Sequence, residues 1–237
     1  MSQFEFGNRK CLHPRDLNPL TPKTENQERY LEALYSDIPI VLGTGFAGTG
    51  KTGLAAHSSL NQVFDSATPY SKLIIIRNIV ESSQSVGFLK GSLEEKVGPY
   101  LAPYKQLAQQ FLNFNDPWQL LVDLENVEFM VANFIRGQTF DDCIILVDEA
   151  QNFDYSTLKD IITRAGYNCK IVLCGDIHQD DLKKIRKESG LSRLCNTLTL
   201  MPYGDVAHIE FELDDIVRSS LVKNFLIADY EYERDNY

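Results

Sequence analysis

The sequence predicts an α/β domain built on a parallel sheet with helices on both faces, and three observations predict it. Short apolar, largely β-branched runs recur along the chain, separated by segments with helical spacing. A glycine-rich loop joins the first run directly to a helical segment. A later apolar run ends on two adjacent carboxylates. Strands that alternate with helices are linked by crossovers, and crossovers place helices over both faces of a parallel sheet.

At 237 residues, 43% of them hydrophobic, the chain can bury one substantial core but is short for two full α/β domains side by side. One domain is expected over 21–228, between an irregular lead-in at 1–20 and a charged, aromatic tail at 229–237. The formal charge of −10 argues against a generally basic surface, so any nucleic-acid path has to be local. The five cysteines, at 11, 143, 169, 174 and 195, form no CxxC pair, which points away from a disulfide framework or a zinc site. Cys143, Cys169 and Cys174 read as small buried hydrophobes. The longest apolar stretches are far shorter than a bilayer span, and the N-terminal MSQFEFGNRK has no apolar signal core. No membrane partner and a cytoplasmic location are therefore expected.

A first helix follows Thr21, Pro22 and Thr24, with Tyr30, Leu31, Leu34 and Tyr35 at the three-and-four spacing of a buried face, and ends near Ser36. The first strand is expected at 38–42 and the helix after the glycine loop at 53–64. Further buried strands are expected at 73–77, 127–132, 144–147 and 170–174. The stretch 99–124 reads as helix broken near Asp116 and Pro117, a helical insertion or lateral subdomain. A last strand at 207–212 leads into a helix at 216–228.

The loop GFAGTGKT carries the first piece of chemistry. A phosphate chain needs several backbone N–H groups turned inward and a helix N-terminus aimed at it, and Gly45, Phe46, Ala47, Gly48, Thr49 and Gly50 supply a chain able to curl that closely. Lys51 then reaches the β- and γ-phosphates and the Thr52 hydroxyl ligates magnesium, so ATP and Mg2+ are the expected ligands of a P-loop. The run IILVDEAQN, about a hundred residues later, supplies the carboxylates for the opposite side of the phosphates. Asp148 is expected to hold magnesium, and Glu149 to orient or deprotonate the attacking water. The segment GDIHQDDL follows another apolar strand and brings Gln179 to the same sheet edge, where it can sense the γ-phosphate. His178 has no ligand partner at metal spacing and reads as a surface or structural histidine.

These segments, taken in order, resemble the PhoH-like ATPase family from residue 20 to about 225. LTPKTENQERY, GFAGTGKT, GFLKGSLEEKVGPYLAP, FIRGQTFDDCIILVDEAQN, ITRAG, GDIHQDDL and ESGL are similar to that family's linked motifs. The family's core resembles that of superfamily-one helicases, which implies a RecA-like P-loop NTPase fold, Gln27 as the adenine contact and Gln179 as the γ-phosphate sensor. FELDDIVRSS is similar to a family segment whose arginine, here Arg218, is a proposed finger. Where the family has an arginine-proline pair followed by valine-glutamate-alanine-glycine, this chain has RNIVESSQ: Arg77 and Glu81 remain while the proline and glycine do not.

A chain with one P-loop and no second nucleotide domain is expected to complete its site with another subunit. The implied protein is an oligomeric Mg-ATPase, most simply a hexameric ring with Arg218 acting in trans, that couples hydrolysis to remodelling of RNA or single-stranded nucleic acid. Lys183, Lys184, Arg186 and Lys187, with Lys90 and Lys96, are the local basic patches available for it. The alternatives are a nucleotide-gated switch or scaffold for a protein partner, and a small-molecule kinase.

Overall fold

The computed structural model describes residues 12–79, 93–135, 137–176 and 190–236. Their strands are β1 (Ile40–Gly45), β2 (Lys72–Arg77), β3 (Val127–Val131), β4 (Cys143–Asp148), β5 (Cys169–Gly175) and β6 (Val206–Phe211). They form one sheet in the order β3-β2-β4-β5-β1-β6, and every pairing is parallel. The helices are α1 (Glu25–Tyr35), α2 (Lys51–Phe64), α3 (Leu93–Phe111), α4 (Pro117–Asp123), α5 (Tyr155–Ile162), α6 (Gly190–Leu198) and α7 (Ser220–Asn236).

Period-two alternation divides the apolar strand residues between two cores. Val41, Ile75, Leu146 and Val172 face a core shared with α1, α2, α3 and α4, while Leu42, Ile74, Ile145 and Leu173 face one shared with α5 and α6. The strands therefore read as unbroken apolar runs because both of their faces are buried. The helical stretch expected as an insertion is the β2-to-β3 crossover, seated directly on the first core through Tyr104, Ala108, Phe111, Trp118 and Leu121. Pro99 and Pro103 lie inside α3, both on its exposed side.

Two boundaries moved for tertiary reasons. The first strand was expected to stop at residue 42, but β1 is flanked by β5 and β6 and stays paired to Gly45, opposite Phe211. The last helix was expected from residue 216. It starts at Ser220, after a 3-10 turn at Leu213–Asp215 and after Val217 has given its N–H to the carbonyl of Gly48, 3.1 Å away. That helix continues to Asn236, through the residues expected as a tail.

Lys170, only 1% exposed, is the least expected core residue. Its ammonium donates to the carbonyls of Leu34 at 2.6 Å and Ser36 at 2.5 Å, closing the C-terminal end of α1, where carbonyls lack helical partners. Burial pulls its pKa from 10.5 down to about 8. A lysine depressed in the folded state costs stability while it is protonated there, and that cost lifts once the pH passes its folded pKa. Between about pH 8 and 10.5 the unfolded chain holds the proton and the folded chain does not, so stability rises with pH. Denaturant titrations of wild type and Lys170→Met at pH 7.5 and 9.5 should differ by on the order of 1–2 kcal/mol more in favour of wild type at the higher pH. A pH-independent difference would contradict this.

Candidate nucleotide-binding site

The parallel sheet delivers the C-terminal ends of β1, β4 and β5 to one edge, the position where open α/β sheets bind ligands. Here they open into a cleft of about 660 Å3 lined by the glycine loop, Arg77, Asp148, Glu149, Asp176, Gln27 and Arg218. The strand β5 separates β1 from β4, so the loop and the acidic pair face each other across one intervening strand.

The loop can take this path because of its glycines. Gly45 has φ +113° and Gly48 φ +81°; a side chain at Gly45 would overlap the Phe211 carbonyl on the neighbouring strand. Gly50 lies in the left-handed region ahead of Lys51, which opens α2 and turns the helix N-terminus into the cleft. The Lys51 ammonium is held by the carbonyls of Gly45 (2.8 Å) and Phe46 (2.6 Å) and by Thr49 Oγ1 (3.1 Å). Burial lowers its pKa, opposed by the charges of Asp176, Glu149 and Asp148.

Across the cleft, Thr52 Oγ1 donates to Asp148 Oδ1 at 2.7 Å, bringing together the two residues expected to hold magnesium. Asp148 Oδ2 accepts from the Tyr104 hydroxyl at 2.6 Å. Glu149 leaves the strand with φ +52°, a left-handed turn that directs it away from β4. Its carboxylate accepts from Gln151 Nε2 at 2.7 Å and lies 3.6 Å from the Arg77 guanidinium. Gln151 Oε1 accepts the backbone N–H of Asp176 at 3.0 Å, so one buried amide ties the acidic pair to the end of β5.

Gln27 is 3% exposed and lines the cleft, so it is not the exposed polar residue that helix periodicity alone would give. Its amide joins two backbone groups, donating to Thr49 O at 2.8 Å and accepting from Lys23 N at 2.7 Å. It thus buttresses the glycine loop from α1. Arg218, expected to act in trans on a neighbouring subunit, lines the cleft of its own chain, its Cγ 2.9 Å from where a side chain on Gly48 would begin. The cause is the Val217-to-Gly48 hydrogen bond, reinforced where Asp215 accepts from Asn26 Nδ2 at 2.7 Å. The edge-on contact of Phe46 with Tyr230, ring centroids 4.9 Å apart, fastens α7 to the same loop.

Gln179 and His178 fall outside the described residues, as do Lys90, Lys183, Lys184, Arg186, Lys187 and Glu81; the Lys96 side chain is likewise outside them. Sequence reasoning missed Tyr104 and Gln151. For Gln151 the signal was present in the quoted DEAQ run; for Tyr104 there was none, since helical spacing marks it only as core. Among the described residues no group of three or more His, Cys, Asp or Glu side chains is placed to hold a metal, and no helix is long and apolar enough to cross a membrane.

A family model described as PhoH-like protein matches residues 19–231. The PhoH-like protein of Mycobacterium leprae is 36% identical over 215 residues, covering 90% of this chain and 59% of the relative. That of Bacillus subtilis is 35% identical over 214 residues, covering 90% and 64%. The chain thus spans about three-fifths of the length of these curated relatives. Among solved structures, the large terminase of a thermophilic bacteriophage in complex with ADP aligns with TM-score 0.49 at 14% identity, covering 86% of this chain and 49% of that one. A likeness of that size carries no argument about activity. The family match takes in the whole cleft, from Gln27 in α1 to Arg218 ahead of α7, and the chain belongs to the PhoH-like protein family.

Proposed function

We propose that the chain is a Mg2+-dependent ATP hydrolase. The observation that carries this reading is the Thr52–Asp148 hydrogen bond, which joins the two halves of the cleft with Lys51 beside one oxygen donor and Glu149 beside the other. Thr52 and Asp148 offer a hydroxyl and one carboxylate, hard oxygen donors that fit a small cation which retains several waters and takes its remaining ligands from phosphates. Held by Thr52 and Asp148, the ion would supply positive charge against that developing on the phosphates. The loop N–H groups and the α2 N-terminus bind the phosphates, and Lys51, already held by loop oxygens, needs little reorganisation to meet them. Glu149, steadied by Gln151 and Arg77, holds the attacking water and accepts its proton. Gln27 supports the loop, and it is retained as the adenine contact, with Gln179 as the γ-phosphate sensor, on the family resemblance.

Coupling to RNA or single-stranded nucleic acid is part of the proposal and rests on the resemblance, against a net charge of −10. Self-association, a hexameric ring in its simplest form, has one supporting observation: Leu221, Phe225 and Tyr232 stand exposed along one stripe of α7.

The test is a phosphate-release assay with Mg2+, with and without RNA, single-stranded DNA and duplexes, beside a mass determination in solution. Glu149→Gln is expected to keep ATP affinity and lose about 10²–10⁴-fold in turnover, since the amide preserves shape without a base. Normal hydrolysis by that variant would place the base elsewhere. Stimulation only by a protein partner would favour a nucleotide-gated switch, and phosphate transfer to an acceptor in place of release would favour a kinase.

A further inference from the structure

Two tyrosines one helical turn apart on α3 address the two adjacent carboxylates at the end of β4. The Tyr104 hydroxyl donates to Asp148 Oδ2 at 2.6 Å. The Tyr100 ring faces the Arg77 guanidinium, 5.7 Å from its centroid, and that guanidinium lies 3.6 Å from Glu149. Resting on the nucleotide-site reading above, we propose that Tyr104 is a positioning residue for the metal-binding carboxylate, and that α3 sets the pose of the acidic pair.

Asp148 has one hydroxyl on each oxygen: Thr52 on Oδ1, from the cleft side, and Tyr104 on Oδ2, from the core side. A cation held there would take a lone pair of the Thr52 oxygen, whose proton stays directed at Oδ1. The Tyr104 bond does not compete with the cation, because it comes from behind. It therefore keeps the carboxylate in one rotamer when the metal is present as well as when it is absent. Groups of this kind, which touch a ligand rather than the metal, typically account for about 10–100-fold in metal affinity. Tyr104 is 2% exposed and packs against Phe129 at a centroid separation of 5.7 Å, so the ring holds its hydroxyl at a fixed place. A core tyrosine needs some partner for its hydroxyl; here the partner is the one carboxylate that the site requires to be oriented.

The experiment is a Mn2+ titration followed by electron paramagnetic resonance, with ADP present, on wild type and Tyr104→Phe. Melting curves and ADP affinity without metal are measured on the same preparations. Phenylalanine keeps the ring and its packing, so the fold and the metal-free ADP affinity should be unchanged while Mn2+ affinity falls about 10-fold or more. Equal Mn2+ affinity in a Tyr104→Phe protein that melts like wild type overturns the positioning role and leaves the nucleotide site intact. Equal losses of Mn2+ affinity, metal-free ADP affinity and melting temperature also overturn it, since a purely structural role predicts them together. Failure of the wild type to bind Mn2+ with ADP strikes the nucleotide-site reading first and removes the basis of this one.

Discussion

Lys51→Ala is expected to eliminate measurable ATP turnover and to weaken nucleotide binding. In the proposed site the ammonium would meet the β- and γ-phosphates at the glycine loop, and deleting a charged donor aimed at a transferring group costs on the order of 10²–10³-fold in rate even when binding is spared. Binding is not spared here, because the same cation offsets the ground-state charge of the triphosphate. This chain adds a second loss. The amine also gathers the carbonyls of Gly45 and Phe46 and the Thr49 hydroxyl, so alanine releases three acceptors that shape the loop. Phosphate release and isothermal titration with ATP and ADP check both effects, with circular dichroism to show that the fold persists. Wild-type turnover in the purified variant would remove the P-loop assignment.

Arg218→Ala should lower hydrolysis by about a thousandfold while affecting ATP affinity far less, because a cation for the developing γ-phosphate charge acts mostly on the transition state. The placement of Arg218 over its own Gly48 supports an intrachain role, and the second half of this prediction rests on it. We infer that the arginine serves the cleft of its own chain. Mixing Arg218→Ala with Lys51→Ala should then leave both proteins inactive after subunit exchange. Every cleft in such a mixture lacks one of the two cations, whatever its neighbours carry. Recovery of partial activity would show that intact clefts and intact arginines meet across an interface, as the sequence led one to expect, and would overturn the intrachain assignment.

Much of this site was legible because its parts are contiguous in sequence. GFAGTGKT and the run ending in Asp148 and Glu149 each combine a strand, a turn and a chemical group within a few residues, and local spacing is enough to read them. The strands were legible for a related reason: a parallel sheet buried on both faces needs continuous apolar runs, which stand out against helical periodicity. Boundaries were less so. Gly45 is strand because β5 and β6 flank β1, and Ser220 begins the last helix because Val217 is engaged by Gly48; neither cause is local.

The sequence by itself determined the α/β class, the glycine loop, the acidic pair and the family, since each is written in short-range order or in linked motifs. Only the tertiary structure decided what those groups touch. Tyr104 reaches Asp148 across 44 positions, Asn26 reaches Asp215 across 189, and Lys170 reaches Leu34 across 136. Arg218 came to lie over its own glycine loop for the same reason. A hydrogen bond depends on approach within about 3 Å, and separation along the chain carries no information about that distance until the sheet has set its strand order.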